Sequence, residues 1–415
     1  MGRRPCALRG TAATALGAIL ALLFAPLPSA RSAEPAARPL VVAHYMPWFA
    51  AKPFSPQWGW HWTMNAFDPD QVTAGKRHIA SHYTPLLGPY DSGDPAVIEY
   101  HLLLMKLAGL DGAIVDWYGL SDFLDYPALH RNTRALFEGA VRFGLQVGIC
   151  YEDQTIPRLV EAKRLPAGDR VKHAQTEIEW LRANWFAQPT YLKLNSVPVL
   201  LSFGFDGLTD DEWGQVFPAT GAAPLYLSEH RRRSAAKGSF DWPQPQAGLA
   251  ALDTYYQAAR EPQAAGYLFL PVAFPRFHDI YKEGKAQEGY APIPDDQGRT
   301  FASSLERAVQ SGAPLVQIAT WNDWGEGTII EPSAEFGYRD LEVLQKQRRS
   351  RDPQFLAAPE DLRLPLRLWR LRGRPAPTPA FTAELDRIAA QLAGADAAGA
   401  RSALARLEAP APPGQ

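Results

Sequence analysis

A chain of 415 residues with 46% hydrophobic and 21% charged side chains can bury a sizeable core, as one large domain or two modest ones. A formal net charge of −2 excludes the strongly basic balance of a nucleic-acid-binding protein, and a highly charged substrate is not suggested either.

Residues 1–33 read as a signal peptide. Arg3, Arg4 and Arg9 form a basic start, Thr11 to Pro26 is an apolar run, and Ser29, Ala30, Ser32 and Ala33 are small. Cleavage after Ala30, Ser32 or Ala33 fits equally. The run is short for a bilayer span, and no later stretch of about 20 apolar residues exists. A secreted or periplasmic protein without stable membrane insertion after cleavage is expected; an uncleaved N-terminal anchor is the alternative. Cys6 precedes the apolar run, so the mature chain keeps Cys150 alone and forms no intramolecular disulfide.

From residue 38 to 350, apolar runs alternate with helical stretches, the pattern of βα units on a parallel sheet. Strands are predicted at 40–45, 112–116, 146–151, 198–203, 225–228, 267–273 and 315–320, with an eighth near 238–242. Pro198-Val199-Leu200-Leu201 is continuously apolar, as suits a strand covered on both faces. Between the first two strands, Asp94-Pro95 supplies an N-cap and a first-turn proline. Ile98, Leu102 and Met105 then recur at helical spacing, and Gly109 ends the helix. Further helices are predicted at 129–143 and 176–185. These units predict an α/β fold, a (β/α)8 TIM-type barrel, ahead of an open doubly wound sheet. Residues 351–415 change character: Leu and Arg over 359–373, Pro over 374–379, then Ala and Leu at helical spacing over 380–407. A C-terminal helical appendix with a Pro-rich end is expected, packed on the barrel or solvated.

Barrel enzymes carry their reactive groups at the C-terminal ends of strands. Here those ends are polar and aromatic: His44-Tyr45-Met46-Pro47-Trp48, Asp116-Trp117-Tyr118, Tyr151-Glu152-Asp153, and Trp321-Asn322-Asp323-Trp324-Gly325-Glu326-Gly327. Tryptophan faces stack on the C–H faces of sugar rings, so the clustering suits a carbohydrate cleft, with core or rim packing as the plainer explanation. Glycosidic cleavage needs one carboxyl to protonate the leaving oxygen and a second to make or be the nucleophile. Asp323 and Glu326, three residues apart, can face one cleft, and Glu152 can join them. A D-x-x-E pair by itself is more often a helix cap or solvated loop. Glu331 and Glu335 read as structural. The sequence has no H-E-x-x-H, EF-hand, P-loop, G-x-G-x-x-G or G-x-S-x-G motif, and its nine histidines are scattered, so neither metal nor cofactor is expected.

The chain resembles glycoside hydrolase family 99, the endo-α-mannosidases, from about residue 40 to 345. The likeness is carried by Tyr83-Thr84-Pro85-Leu86-Leu87-Gly88-Pro89-Tyr90-Asp91-Ser92, by Asp94-Pro95 with Val97, Ile98, Glu99, His101 and Met105, by Asp116-Trp117-Tyr118, by Ile149-Cys150-Tyr151-Glu152, and by the run Asn322 to Glu331. The resemblance implies cleavage of α-linked glycans without metal, most naturally α-mannosides, with a polysaccharide or oligosaccharide as partner. It implies that Glu326 is the general acid. It places Asp323 where the family has a glutamate that deprotonates the sugar's own 2-hydroxyl, giving an anhydro-sugar and net retention. Glu152 matches a glutamate of the subsite that holds the cleaved sugar. Tyr45, Trp48, Trp117, Tyr118, Tyr191 and Trp324 are expected to shape the sugar site, with Trp242 standing where the family has tyrosine. Aspartate at 323 is a departure: it is one methylene shorter, withdrawing its oxygens by about 1.5 Å. Family 71, the α-1,3-glucanases, has aspartate there and inverts. A carbohydrate-binding or polysaccharide-assembly protein on a decayed barrel is the non-hydrolytic alternative.

Overall fold

The computed structural model describes residues 38–261 and 266–409. The expected signal peptide lies outside the described residues, as does the terminal stretch 410–415. The principal strands are β1 (Leu40–Tyr45), β2 (Gly112–Trp117), β3 (Gln146–Tyr151), β4 (Val197–Ser202), β5 (Leu225–Glu229), β6 (Gly238–Phe240), β7 (Leu268–Leu270 and Val272–Ala273) and β8 (Leu315–Ile318). Each pairs in parallel with its sequence neighbour, and β1 pairs with β8. Closure depends on β7. Its first half pairs with β6 and its second half with β8, the break falling at Pro271, which has no N–H for the ladder but accepts from Gln317 N at 3.0 Å. The result is the expected (β/α)8 barrel, with every predicted strand within about two residues of an observed one.

The period-2 rule then sorts each strand. Val42, Ile114, Cys150, Val199, Leu201, Leu227, Leu270, Val272 and Leu315 pack together inside the barrel. Their neighbours Val41, Ala43, Tyr45, Val115, Trp117, Ile149, Tyr151, Leu200 and Val316 face the helices. Cys150 is a buried free thiol of the interior layer.

The helical shell comprises α1 (Pro95–Ala108), α2 (Tyr126–Phe143), α3 (Thr155–Glu161), α4 (Arg170–Leu181), α5 (Asp210–Ala219), α6 (Leu249–Arg260), α7 (Arg299–Gln310) and α8 (Arg339–Arg349). Helix α1 begins and ends as its sequence dictates. The Asp94 carboxylate accepts from Ala96 N at 2.9 Å, and Gly109 closes the helix at φ 90°. Such a cap contributes about 1 kcal/mol. Helix α2 starts three residues before the predicted 129 because Pro127 fits its first turn. Helix α4 starts at Arg170, six residues before the predicted 176, and passes at Arg182–Phe186 into a π turn that buries Trp185 and Phe186.

Beyond α8 come α9 (Leu364–Arg372), α10 (Pro379–Ala393) and α11 (Ala397–Glu408). Leu368, Ile388, Leu392 and Leu404 share one apolar core with Leu102 and Leu103 of α1. Glu99 of α1, 7% exposed, accepts from Arg372 at 2.5 and 2.8 Å and from Arg142 at 3.1 Å. The core is thus continuous across residue 350.

Candidate active site

The C-terminal mouth of the barrel is where interior-facing strand positions turn polar. His44 ends the interior row of β1, and Asp116 that of β2. Glu152 follows β3, Glu229 ends β5, and Asp241 follows β6. His44 Nε2 and Gln317 Oε1 are 2.8 Å apart, and the Gln317 amide donates to the Asp241 carbonyl. Trp242 sets its ring edge-on to His44 at 4.7 Å and to Phe203 at 4.8 Å. Above these residues opens a cleft of about 500 Å³ lined by Phe203, His230, Trp242, Phe277, Tyr290 and Glu326. The mix of a few aromatic faces with convergent polar groups is that of a small-molecule or sugar site.

The loop after β8 delivers two carboxylates to this mouth. Asp323 N donates to Thr320 Oγ1 at 2.7 Å, and Asp323 Oδ1 accepts from Glu326 N at 3.0 Å. One Asp323 oxygen therefore holds the turn, as in a helix cap, while the residue stays only 5% exposed. Tyr281 donates to Glu326 Oε1 at 3.1 Å, and the amides of His278 and Ile280 donate to the carbonyls of Glu326 and Gly325 at 2.8 and 2.9 Å. Behind the loop, Asn322 bridges Met46 and Tyr90, and Tyr90 donates to Glu331 at 2.7 Å. Glu331 also faces His101 at 3.1 Å, both side chains being fully buried, and His101 Nδ1 lies 3.0 Å from the Tyr45 hydroxyl. The segment around Tyr90 in the long β1–α1 connection thus braces the loop, with Leu86 N donating to Pro332 O at 3.0 Å.

Burial dominates the electrostatics. It pushes Asp116 up to about 8, with the charge of Asp323 adding to the effect, and pushes Glu152 well above the carboxylate range, with Asp116 and Asp153 adding. Burial also raises Asp323 to about 6, opposed by hydrogen bonds from the Glu326 and Gly325 amides. Glu326 is carried well above its usual value by burial and then by Asp323. His44 falls to about 3 because it is buried, so it stays neutral. At His230 burial acts downward, but the Asp241 hydrogen bond and the Glu229 charge outweigh it and the net shift is upward. Asp116 Oδ1, Glu152 Oε1 and His44 Nδ1 are buried without a hydrogen-bond partner. Their grouping at the mouth leaves them open to water or to a polar ligand.

A stability test follows. Asp116 has a native pKa of about 8 against an ordinary 3.8, so the native state binds the extra proton. Its contribution is complete below about pH 3.8 and is lost as pH rises through about 8. Replacing Asp116 by Asn should flatten the fall in unfolding free energy between about pH 4 and 8, measured by urea denaturation. An unchanged slope would contradict the perturbed acid.

Of the residues expected from sequence, Asp323, Glu326, Glu152, Tyr118, Trp48 and Trp242 come to the mouth or its rim. Tyr118 lies 6.3 Å from Trp48, which stacks on His61 at 4.2 Å. Four do not reach it. Tyr45 and Trp117 have the wrong strand parity: Tyr45 meets His101, and Trp117 donates to His130 at 3.2 Å while stacking on Trp180. Trp324 is fully buried, with its Nε1 near Tyr90 and Glu331 at 3.2 and 3.3 Å. Tyr191 bridges to Val147, near the opposite end of β3, and donates to Val199 O at 2.8 Å. His44, Asp116, Glu229, His230, Asp241 and Tyr281 were not singled out. For His44 and Asp116 the signal was present: each is the polar residue in the interior register of its own strand. Tyr281 lies on a loop without periodicity.

Comparison with known proteins agrees with this architecture. No protein-family model matches the chain. It is 21% identical over 285 residues to the glycoprotein endo-alpha-1,2-mannosidase-like protein of Danio rerio, covering 61% of this chain and 60% of that one. It is 19% identical over 294 residues to the glycoprotein endo-alpha-1,2-mannosidase of Xenopus laevis, covering 63% and 62%. The chain thus spans about three-fifths of the length of these curated relatives. The solved family 99 endo-α-mannosidase of Bacteroides thetaiotaomicron superposes with a TM-score of 0.58 at 19% identity, covering 76% of this chain and 98% of that one. The resemblance read from the motifs is borne out, and so is the fold.

Proposed function

We propose that this chain, a relative of the family 99 endo-α-mannosidases, is an exported glycoside hydrolase cleaving α-linked glycans, most naturally an α-mannoside. The observation that carries the reading is a pair of neighbouring carboxyls on one loop at the barrel mouth, Glu326 lining the aromatic-walled cleft and Asp323 beside it. Burial raises Asp323 only to about 6 because two amides oppose it, whereas burial and then the Asp323 charge carry Glu326 well above its usual value. These environments favour the proton on Glu326 over Asp323, the division of labour that glycoside cleavage requires. Glu326 donates its proton to the glycosidic oxygen as the C1–O bond breaks. Asp323 takes the proton of the sugar's 2-hydroxyl, whose oxygen closes on C1. Water then opens this anhydro-sugar, giving one proton to Glu326 and attacking C1, while Asp323 returns its proton to O2. Trp242, Phe203 and Phe277 offer faces to the sugar. Buried Asp116 and Glu152, with partnerless oxygens, are placed to bind hydroxyls.

Two inversions of stereochemistry amount to retention, so the first-formed product should carry the α configuration. Proton NMR during digestion of an α-linked mannan oligosaccharide reads this directly. An initial β anomer would move the mechanism to direct attack by water, the inverting α-1,3-glucanase-like reading that aspartate at 323 keeps open. No cleavage of any α-linked polysaccharide in a digestion screen would favour a binding or polysaccharide-assembly role.

A further inference from the structure

Beside Glu152 lies a second, smaller pocket of about 140 Å³ lined by Tyr118, Tyr126, Glu152, Gln154, Thr155 and Arg158. It is below the range of about 300–1,000 Å³ for a free-standing ligand site, so it suits a substituent rather than a separate molecule. Two observations make it unusual. The Tyr126 residue is 2% exposed, and its hydroxyl is buried without a hydrogen-bond partner. Arg158, on α3, lines the same pocket, where its charge acts on Glu152 without a direct ion pair among the described residues. A buried donor and a guanidinium thus face one small space at the barrel mouth, where Glu152 and Tyr118 follow β3 and β2 and the Tyr118 ring is 5.3 Å from Tyr126.

We propose that this pocket is an accessory subsite for an anionic substituent of the glycan, its oxygens held by the Arg158 guanidinium and the Tyr126 hydroxyl. The proposal rests on the cleft being a glycan site. Arginine's planar fork matches a carboxylate or an ester phosphate, and hydrogen bonds to a charged acceptor are the strong ones. Two carboxyls stand near the pocket, and the Arg158 charge acts against theirs on Tyr118 and Tyr126. Burial, with the charges of Asp116 and Asp153, pushes Glu152 well above the carboxylate range and so toward its uncharged form, while Asp125 stands 3.6 Å from a His61 ring that burial pushes down. Nothing in the motifs pointed here, because Arg158 and Tyr126 lie 32 residues apart on separate helices and meet only in the fold.

The test is titration of the full chain with glucuronate, mannose 6-phosphate and mannose, followed by NMR. At least one acidic probe should bind about tenfold more tightly than mannose, the size of one charge-assisted contact. Which of the two wins distinguishes a uronate carboxylate from an ester phosphate. Arg158→Met should collapse the difference between acidic and neutral probes, and Tyr126→Phe should shrink it about threefold. Arg158 is exposed, so its replacement should leave folding intact, and Arg158→Lys should keep part of the preference. Equal affinity for all three probes, no binding of either acidic probe, or a preference that survives Arg158→Met would overturn the subsite. These failures are separable from failure of the hydrolase reading. Cleavage of neutral mannan with no acid preference removes the subsite alone. Acid preference without cleavage of any polysaccharide removes the hydrolase alone.

Discussion

Replacing Glu326 by Gln should lower turnover of natural α-glycosides by about 10²–10⁴. The amide keeps the shape of the side chain and can still accept from Tyr281, now 3.1 Å from Oε1. It cannot give a proton to a departing alkoxide. An α-glycosyl fluoride leaves without protonation, so the same variant should lose far less on that substrate. The ratio of the two losses, rather than either alone, identifies the proton donor. A pH profile adds an independent check: the alkaline limb, set by loss of the Glu326 proton, should vanish in Glu326→Gln. Equal losses on both substrates would assign Glu326 to binding.

The second large effect is on stability. Glu331 lies in a fully buried polar cluster, 3.1 Å from His101, accepting from Tyr90 at 2.7 Å and from the Trp324 indole at 3.3 Å. Glu331→Ala would take from Tyr90 the acceptor of its hydroxyl proton and from His101 the carboxyl it faces, while Trp324 keeps only its bond to the Tyr90 hydroxyl. Removing one member of such a buried pair costs about 3–5 kcal/mol, a large share of the roughly 5–15 kcal/mol that holds a domain together. Equilibrium denaturation in urea should show the loss as a lower midpoint. Because Tyr90 also contacts Asn322 at 3.1 Å, the variant should disturb the loop that carries Asp323 and Glu326 as well. A destabilisation under about 1 kcal/mol would mean the cluster is not a brace.

Much of this protein was legible as sequence. Asp94, Pro95 and Gly109 set the limits of α1, because caps and first-turn prolines act through the local backbone alone. The strands announced themselves as apolar runs, since a parallel barrel covers both faces of each strand. Asp323, Glu326 and Glu152 came to one mouth because strand ends converge there in any (β/α)8 barrel. Tertiary structure alone decided which aromatic residues face the barrel mouth. Tyr45 and Trp117 sit at strand ends but one residue out of phase, so they enter the helical shell while His44 and Asp116 turn inward. It also decided that Pro271 splits β7 and closes the barrel, that Glu331 pairs with His101 across 230 residues, and that one oxygen of Asp323 is spent on its own turn. Each of these depends on contacts between segments distant in the chain, whose geometry no local pattern encodes.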